Sequence, residues 1–226
     1  NNESLKRAKK EKDDEFYTEY SDIEKEMNAY LEYNPNVFRN KTVLLPCDDP
    51  EWSNFTRYFA QNFELLGLKK LISTSYANDK KTTVYVQLSL FEKESSQYDE
   101  KKSQSHGKIF TLDVDKNNSS RIDINDLKWK YLKGDGDFRS DEVKKLRDEA
   151  DIIVTNPPFS LFREFLAWLM ESNKQFIIIG NENDATTKET FPMIRDGKIW
   201  MGKNAGDMAF KVRATSEPRE TRFWID

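Results

Sequence analysis

Hydrophobic positions fall into short blocks whose period changes along the chain. Phe16, Tyr20, Ile23, Met27, Tyr30 and Leu31 recur at spacings of mostly three and four. That is the apolar stripe of an amphipathic packing helix, and Pro35 ends it. Thr42 to Leu45 is a short buried-type run stopped by Pro46, which reads as a strand. In DDPEWSNFTRYFAQNFELLG, apolar positions 52, 55, 59, 63 and 66 mark one face of a helix. Asp48 or Asp49 is the expected N-cap, Pro50 sits near the first turn, and Gly67 closes the C-terminus. LKKLISTSYA then reads as a second strand. Strand, helix and strand joined by short connections make a βαβ unit, which demands parallel pairing and a right-handed crossover.

TTVYVQLSLFE alternates and is rich in β-branched and aromatic residues, EKESSQYDEKKSQSHGK is a polar loop, and KIFTLDVD is another strand before the turn DKNNSS. The stretch from about 79 to 125 therefore reads as a β-rich insertion. WKYLKGDGDF runs from a short strand into a Gly/Asp turn, and SDEVKKLRDEA is a charged helix capped by Ser140. DIIVTNPPFS is a strand with Ile152, Ile153 and Val154 at its core, SLFREFLAWLMES an apolar helix, and KQFIIIGNEN a further strand. Beyond 185 the signals weaken, with DGKIWMG, MAFKV and TRFWID as short strands. The predicted class is α/β, a doubly wound, mainly parallel sheet with ligands at the carboxyl ends of its strands. Residues 1–33 are expected to form a tail and packing helix, 34–185 the α/β catalytic domain, and 186–226 the start of a DNA-contacting region.

Composition narrows the chemistry. The chain has 226 residues, 36 basic and 40 acidic, with a net charge of −4. Its first 15 residues carry five basic and five acidic side chains, a solvated segment and not a nucleic-acid arm. Cys47 and His106 are the only residues of their kinds. One cysteine excludes an internal disulfide and fits a reducing compartment, the cytoplasm. One Cys and one His cannot build a Cys/His zinc site, and no metal is expected. His106 lies in polar SQSHGK, remote from any nucleophile-like motif. No apolar run reaches the roughly 20 residues of a membrane span, so no membrane role is expected. Charge is uneven, however. Residues 188–222 hold eight Lys or Arg against five acids, net +3, so the rest carries −7. With Trp200 among them and Trp224 just beyond, they form a candidate DNA face.

Asn156-Pro157-Pro158-Phe159 follows a buried strand and precedes a helix. Two prolines lock successive φ angles and remove two donors, so the Pro157 carbonyl is held rigidly as an acceptor. The Asn156 side-chain oxygen is a second acceptor, and Phe159 offers a flat apolar face. Such a set receives a planar group bearing an NH₂, of which adenine is one. That amine is a poor nucleophile because its lone pair is delocalised into the ring. Hydrogen bonds to its N–H groups stabilise the positive charge that develops on attack. The electrophile must then be strongly activated, and the sulfonium methyl of S-adenosylmethionine fits. A target base in duplex DNA must be flipped out of the helix.

The cofactor side is expected at the first strand's end. No GxGxxG is present; the loop reads Pro46-Cys47-Asp48-Asp49-Pro50. Asp48 or Asp49 is a candidate for the ammonium of the methionine part. In Gly134-Asp135-Gly136-Asp137-Phe138, an Asp can accept from the cofactor's adenine amine while Phe138 stacks on its ring. After the second strand, Ser73, Thr74 and Ser75 stand where a ribose-binding acid is usual.

VLLPCDDPEWSNFTRYFAQNF, LGLKKLISTSY, GDGDFRS, DIIVTNPPFS and FIIIGNEN, taken in order, resemble the EcoRI-type adenine-specific DNA methyltransferases. The likeness covers roughly residues 28 to 226. It implies a class I S-adenosylmethionine-dependent methyltransferase fold and methylation of the adenine 6-amino group in a short palindromic duplex site. It implies a catalytic loop at Asn156, Pro157, Pro158 and Phe159. Cofactor contacts are implied at Pro46, Cys47, Asp48, Asp49 and Pro50, and at Asp135, Asp137 and Phe138. Duplex DNA is the expected partner, within a type II system whose restriction endonuclease need not bind. Family members run longer at the C-terminal end, which implies further sequence-reading elements after Asp226. Two other readings remain open. One is another NPP-aromatic amine methyltransferase, acting on a guanine 2-amino group in RNA or on a protein glutamine. The other is a non-catalytic DNA-binding module of the same fold.

Overall fold

A computed structural model describes residues 17–77, 98–99, 101–114, 128–202, 210–211 and 221–225. Its strands are β1 (Tyr17–Thr18), β2 (Thr42–Leu45), β3 (Lys70–Thr74), β4 (Lys108–Asp113), β5 (Lys130–Tyr131), β6 (Ile152–Thr155), β7 (Gln175–Asn181), β8 (Trp200–Met201), β9 (Phe210–Lys211) and β10 (Thr221–Ile225). The α-helices are α1 (Tyr20–Tyr33), α2 (Asn54–Gln61), α3 (Phe63–Leu66), α4 (Asp141–Glu149), α5 (Phe162–Ser172) and α6 (Phe191–Arg195). The expected strand in TTVYVQLSLFE, the turn DKNNSS and the N-terminal charged segment lie outside the described residues.

Eight strands form one sheet in the order β5-β4-β3-β2-β6-β7-β10-β8, and β1 pairs separately with β9. At its centre β3, β2, β6 and β7 are mutually parallel, as the βαβ rhythm requires. The flanks are antiparallel: β4 joins β3, β5 joins β4, and β10 lies between β7 and β8. The described part of 79–125 thus does not stand apart from the α/β unit. Ile72 faces Thr111 and Leu71 faces Leu112, so Lys108–Asp113 extends the main sheet. Lys108, Phe110 and Leu112 are buried while the residues between them are not, an alternation that suits a strand with one covered face; the unbroken burial of β2 and β6 suits central strands covered on both.

Alternation along the central strands divides the core into two layers. Val43, Leu45, Leu71, Ile152, Val154, Ile177 and Ile179 face a cluster built with α1, α2 and α3. Leu44, Ile72, Ile153, Phe176 and Ile178 face the other, built with α4 and α5. Period-two side-chain direction makes this the doubly wound arrangement. No helix among the described residues is long and apolar enough to cross a membrane.

Two local expectations shift. The 52–66 helix is split at Asn62 into α2 and α3, although Gly67 caps its end at φ +62° as expected. The N-cap is neither Asp48 nor Asp49 but Ser53, whose Oγ accepts from the backbone N–H groups of Phe55 (3.1 Å) and Thr56 (3.4 Å). Asp49 instead folds over its own turn and accepts from Glu51 N–H at 2.8 Å. Ser140 caps α4 as read, accepting from Val143 N–H at 3.3 Å.

Candidate active site at the carboxyl ends of the strands

From β2 the chain crosses to β3 on one side, and β6 lies on β2's other side. The strand order therefore reverses between β2 and β6, and ligands of open α/β sheets bind at the carboxyl end of such a switch point. Leu45 and Thr155 end these two strands, so the Pro46–Pro50 loop and the Asn156–Phe159 loop meet there. Thr155 is fully buried and joins them. Its Oγ1 accepts from Cys47 N–H at 3.2 Å and donates to Asp48 Oδ2 at 2.5 Å.

Asp48 is almost completely buried. Its Oδ1 accepts from Ser53 Oγ at 2.6 Å, and the backbone N–H of Asn156 also donates to its carboxylate. Burial pushes its pKa up to about 6, against the lowering effect of Ser53, Thr155 and the Asn156 N–H. Ser73 and Thr74 turn their hydroxyls into the protein. Ser73 Oγ donates to the Asp48 carbonyl (2.6 Å), and Thr74 Oγ1 to the Pro46 carbonyl (3.1 Å). Burial, then the charges of Asp48 and Asp137, raise the Cys47 thiol well above its usual range, which leaves it a packing residue and a poor nucleophile.

In the second loop Asn156, Pro158 and Phe159 are half-buried and Pro157 is buried. Leu161 N–H donates to the Pro158 carbonyl at 2.9 Å, closing the loop into a short 3₁₀ turn over Phe159–Leu161 that leads into α5. Phe159 packs along the first core layer.

The 134–138 turn sits on the end of β3. Asp135 O accepts from Ala77 N–H (2.6 Å), and Gly134 O from Gly107 N–H (3.0 Å). Gly136 adopts φ +81°, and a Cβ there would lie 2.2 Å from Ser75 O, so only glycine fits. Asp135 is exposed, and its Oδ1 accepts from Asp137 N–H at 3.0 Å. Asp137 is held by Arg139 at 2.7 Å, and Arg139 reaches Glu164 of α5 at 2.9 Å. Burial raises the Asp137 carboxyl, but the Arg139 contacts outweigh this and hold it below the ordinary value. Phe138 is not at the mouth. Its ring is 5% exposed, lies edge-on to Phe165 and Trp168, and has the Arg139 guanidinium 5.4 Å from its centroid. The two halves of this motif are thus separated: Asp135 is exposed, and the aromatic belongs to the core.

A family model described as "Adenine-specific methyltransferase EcoRI" matches residues 4–226. The chain belongs to the EcoRI-type adenine-specific methyltransferase family. It is 42% identical over 205 residues to "Type II methyltransferase M.EcoRI" of Escherichia coli, covering 91% of this chain and 56% of that protein. To "Type II methyltransferase M.MgeORF184P" of Mycoplasma genitalium it is 34% identical over 222 residues, covering 96% and 58%. To "Type II methyltransferase M.MpnI" of Mycoplasma pneumoniae it is 31% identical over 221 residues, covering 96% and 57%. The chain spans just over half the length of these relatives. No solved structure matches it.

In this EcoRI-type chain, sequence reasoning missed several residues at the site. Lys108 is nearly buried at the start of β4, with its Nζ 2.5 Å from Glu51, 3.4 Å from Asp49 and 4.7 Å from the Trp129 ring centre. It neutralises much of the acidic loop. Tyr76, just past β3, is an exposed aromatic beside the 134–138 turn. Thr155 carried one available signal: a hydroxyl ending an otherwise aliphatic strand. Of the candidate DNA face, Lys188 and Trp200 are exposed, whereas 203–209 and 212–220 lie outside the described residues.

Proposed function

We propose that this chain transfers a methyl group from S-adenosylmethionine to the 6-amino group of adenine in duplex DNA. The observation that carries this reading is the Asn156-Pro157-Pro158-Phe159 loop at the carboxyl end of β6, beside the switch point, in a chain of the EcoRI-type family. The four parallel central strands, covered by helices on both faces, support a class I methyltransferase fold.

The residues present fit the cofactor. Asp49 and Glu51, paired with Lys108, lie in the loop after β2, and Asp135 and Asp137, the latter paired with Arg139, lie in the turn against the end of β3. An acidic mouth suits a cationic ammonium and donating ribose hydroxyls. Asp135 is the acid best placed to accept from such donors, and Tyr76 is the accessible aromatic for a purine face. Bound there, the cofactor supplies a methyl group on a positively charged sulfur, a strong electrophile.

The chain's residues then work on the base. Asn156 and the Pro157 carbonyl accept from the flipped adenine's amine, keep its lone pair aimed at the methyl carbon and stabilise the charge that develops on nitrogen. Phe159 stacks on the ring. The amine would take the methyl carbon from the cofactor, the sulfur keeping the electron pair of the C–S bond, and the methylated nitrogen would lose a proton to solvent.

The test is incorporation of labelled methyl from S-adenosylmethionine into duplex DNA by the full-length protein. Incorporation that disappears in Asn156→Ala supports the reading. None into any DNA refutes it, and label entering RNA or protein instead would select the alternative amine substrates.

A further inference from the structure

We propose that Asp48 is a positioning residue: it holds the Asn156 loop in register from beneath and does not touch the cofactor. This inference rests on the methyltransferase reading above. Every polar group of Asp48 has a partner inside the protein. Its N–H donates to Thr74 O at 2.9 Å, and its carbonyl accepts from Ser73 Oγ at 2.6 Å. Oδ1 takes Ser53 Oγ and Oδ2 takes Thr155 Oγ1, while the Asn156 N–H donates to the same carboxylate. At 4% exposure the carboxylate has neither the access nor the orientation to meet an ammonium in the crevice.

The geometry gives it another task. Thr155 Oγ1 accepts from Cys47 N–H, so its own proton is directed at Asp48. Ser53 caps α2 while donating to the same group. Asp48 thereby ties the first loop, the α2 N-terminus, the end of β6 and the backbone of Asn156 into one rigid unit. A carboxylate is the side chain for this, because it accepts from three donors and offers none. An amide would turn an N–H toward at least one of them. Stability alone is a poor reason to keep it, since a buried charge costs more than a well-packed apolar group. Holding the amine's acceptor to a fraction of an ångström is a better one, because misplacement by about 1 Å costs roughly a hundredfold in rate.

The experiment compares Asp48→Asn, Thr155→Val and Thr155→Ser in the full-length protein. Cofactor affinity is read by calorimetry and methyl transfer by single-turnover kinetics at saturating cofactor. Expected are an affinity within about threefold of wild type and a transfer rate lowered about a hundredfold in Asp48→Asn and Thr155→Val. Thr155→Ser keeps the hydroxyl and restores most of the rate. If Asp48→Asn does not fold, the Thr155 pair decides alone. The proposal is overturned if transfer is unchanged in Thr155→Val. It is equally overturned if Asp48→Asn loses cofactor affinity tenfold or more at an unchanged saturated rate. A wild-type protein that binds the cofactor but methylates no DNA overturns the function itself, a distinct result.

Discussion

Gly107→Ala offers a sharp test of how the crevice is built. Three backbone segments cross at this residue. A Cβ there would sit 2.3 Å from Ser75 O, 2.8 Å from Gly136 Cα and 2.9 Å from Asp135 O. Ordinary C···O contacts begin near 3.3 Å, so the 134–136 turn and the end of β3 must part by about 1 Å. All three obstacles are backbone, and no side-chain rotation relieves them. The parting strains the bonds from Gly107 N–H to Gly134 O (3.0 Å) and from Ala77 N–H to Asp135 O (2.6 Å). Overpacking of this kind costs about 1–3 kcal/mol and occasionally more. For a chain of this size, that lowers Tm by roughly 2–12 °C. Circular dichroism melts measure the loss, and calorimetry should show weaker S-adenosylmethionine binding, since Asp135 rides on the turn. Gly134→Ala is the internal control. Its nearest neighbour would be Glu142 Oε2 at 3.5 Å, an ordinary contact, so its Tm should barely move. Equal melting temperatures for the two variants would refute the crossing-backbone argument.

The remaining predictions probe other parts of the site and core. Tyr76→Ala should weaken cofactor binding by roughly 3–10-fold, the value of one aromatic face, with the melting temperature held; unchanged titration isotherms would remove Tyr76 from the site. Phe165→Ala, at a fully buried position beside Phe138 and Trp168, should cost about 3–5 kcal/mol in urea denaturation. Asp48 titrates near 6 when folded and near 3.8 in its ordinary state, so its ionisation works against folding. Its stabilising contribution is complete below about pH 4 and is lost as pH rises through 6. The stability of Asp48→Asn relative to wild type should therefore increase between pH 5 and 7.5, by an amount on the order of 1 kcal/mol; a flat difference across that range would contradict the burial argument.

Local signals were most legible where one residue type has a single physical use. Gly67 and Ser140 cap the helices that their chemistry suggests, and the parallel centre follows from the βαβ spacing. The sequence points to Asp48 or Asp49 as the α2 N-cap, but Ser53, only a few residues on, takes the position. Propensity ranks them nearly equally, and the outcome depends on which carboxylate the sheet draws inward. Phe138 was read as a stacking ring because it follows two acids in a turn. Its direction was set instead by Phe165 and Trp168, which are 27 and 30 positions away.

The sequence by itself determined the layers, the switch-point loops and the Asn-Pro-Pro-Phe motif after a buried strand, because periodicity, prolines and a known family pattern are local properties of the chain. Only the tertiary structure decided which acids face solvent and which are consumed inside. Asp48 and Asp137 look alike in a string of letters. One is enclosed by Ser53, Thr155 and the Asn156 backbone, the other is clasped by Arg139, and Asp135 alone of the turn's acids lies exposed. Those fates depend on partners as far as 108 positions along the chain, brought together where β2 and β6 end side by side.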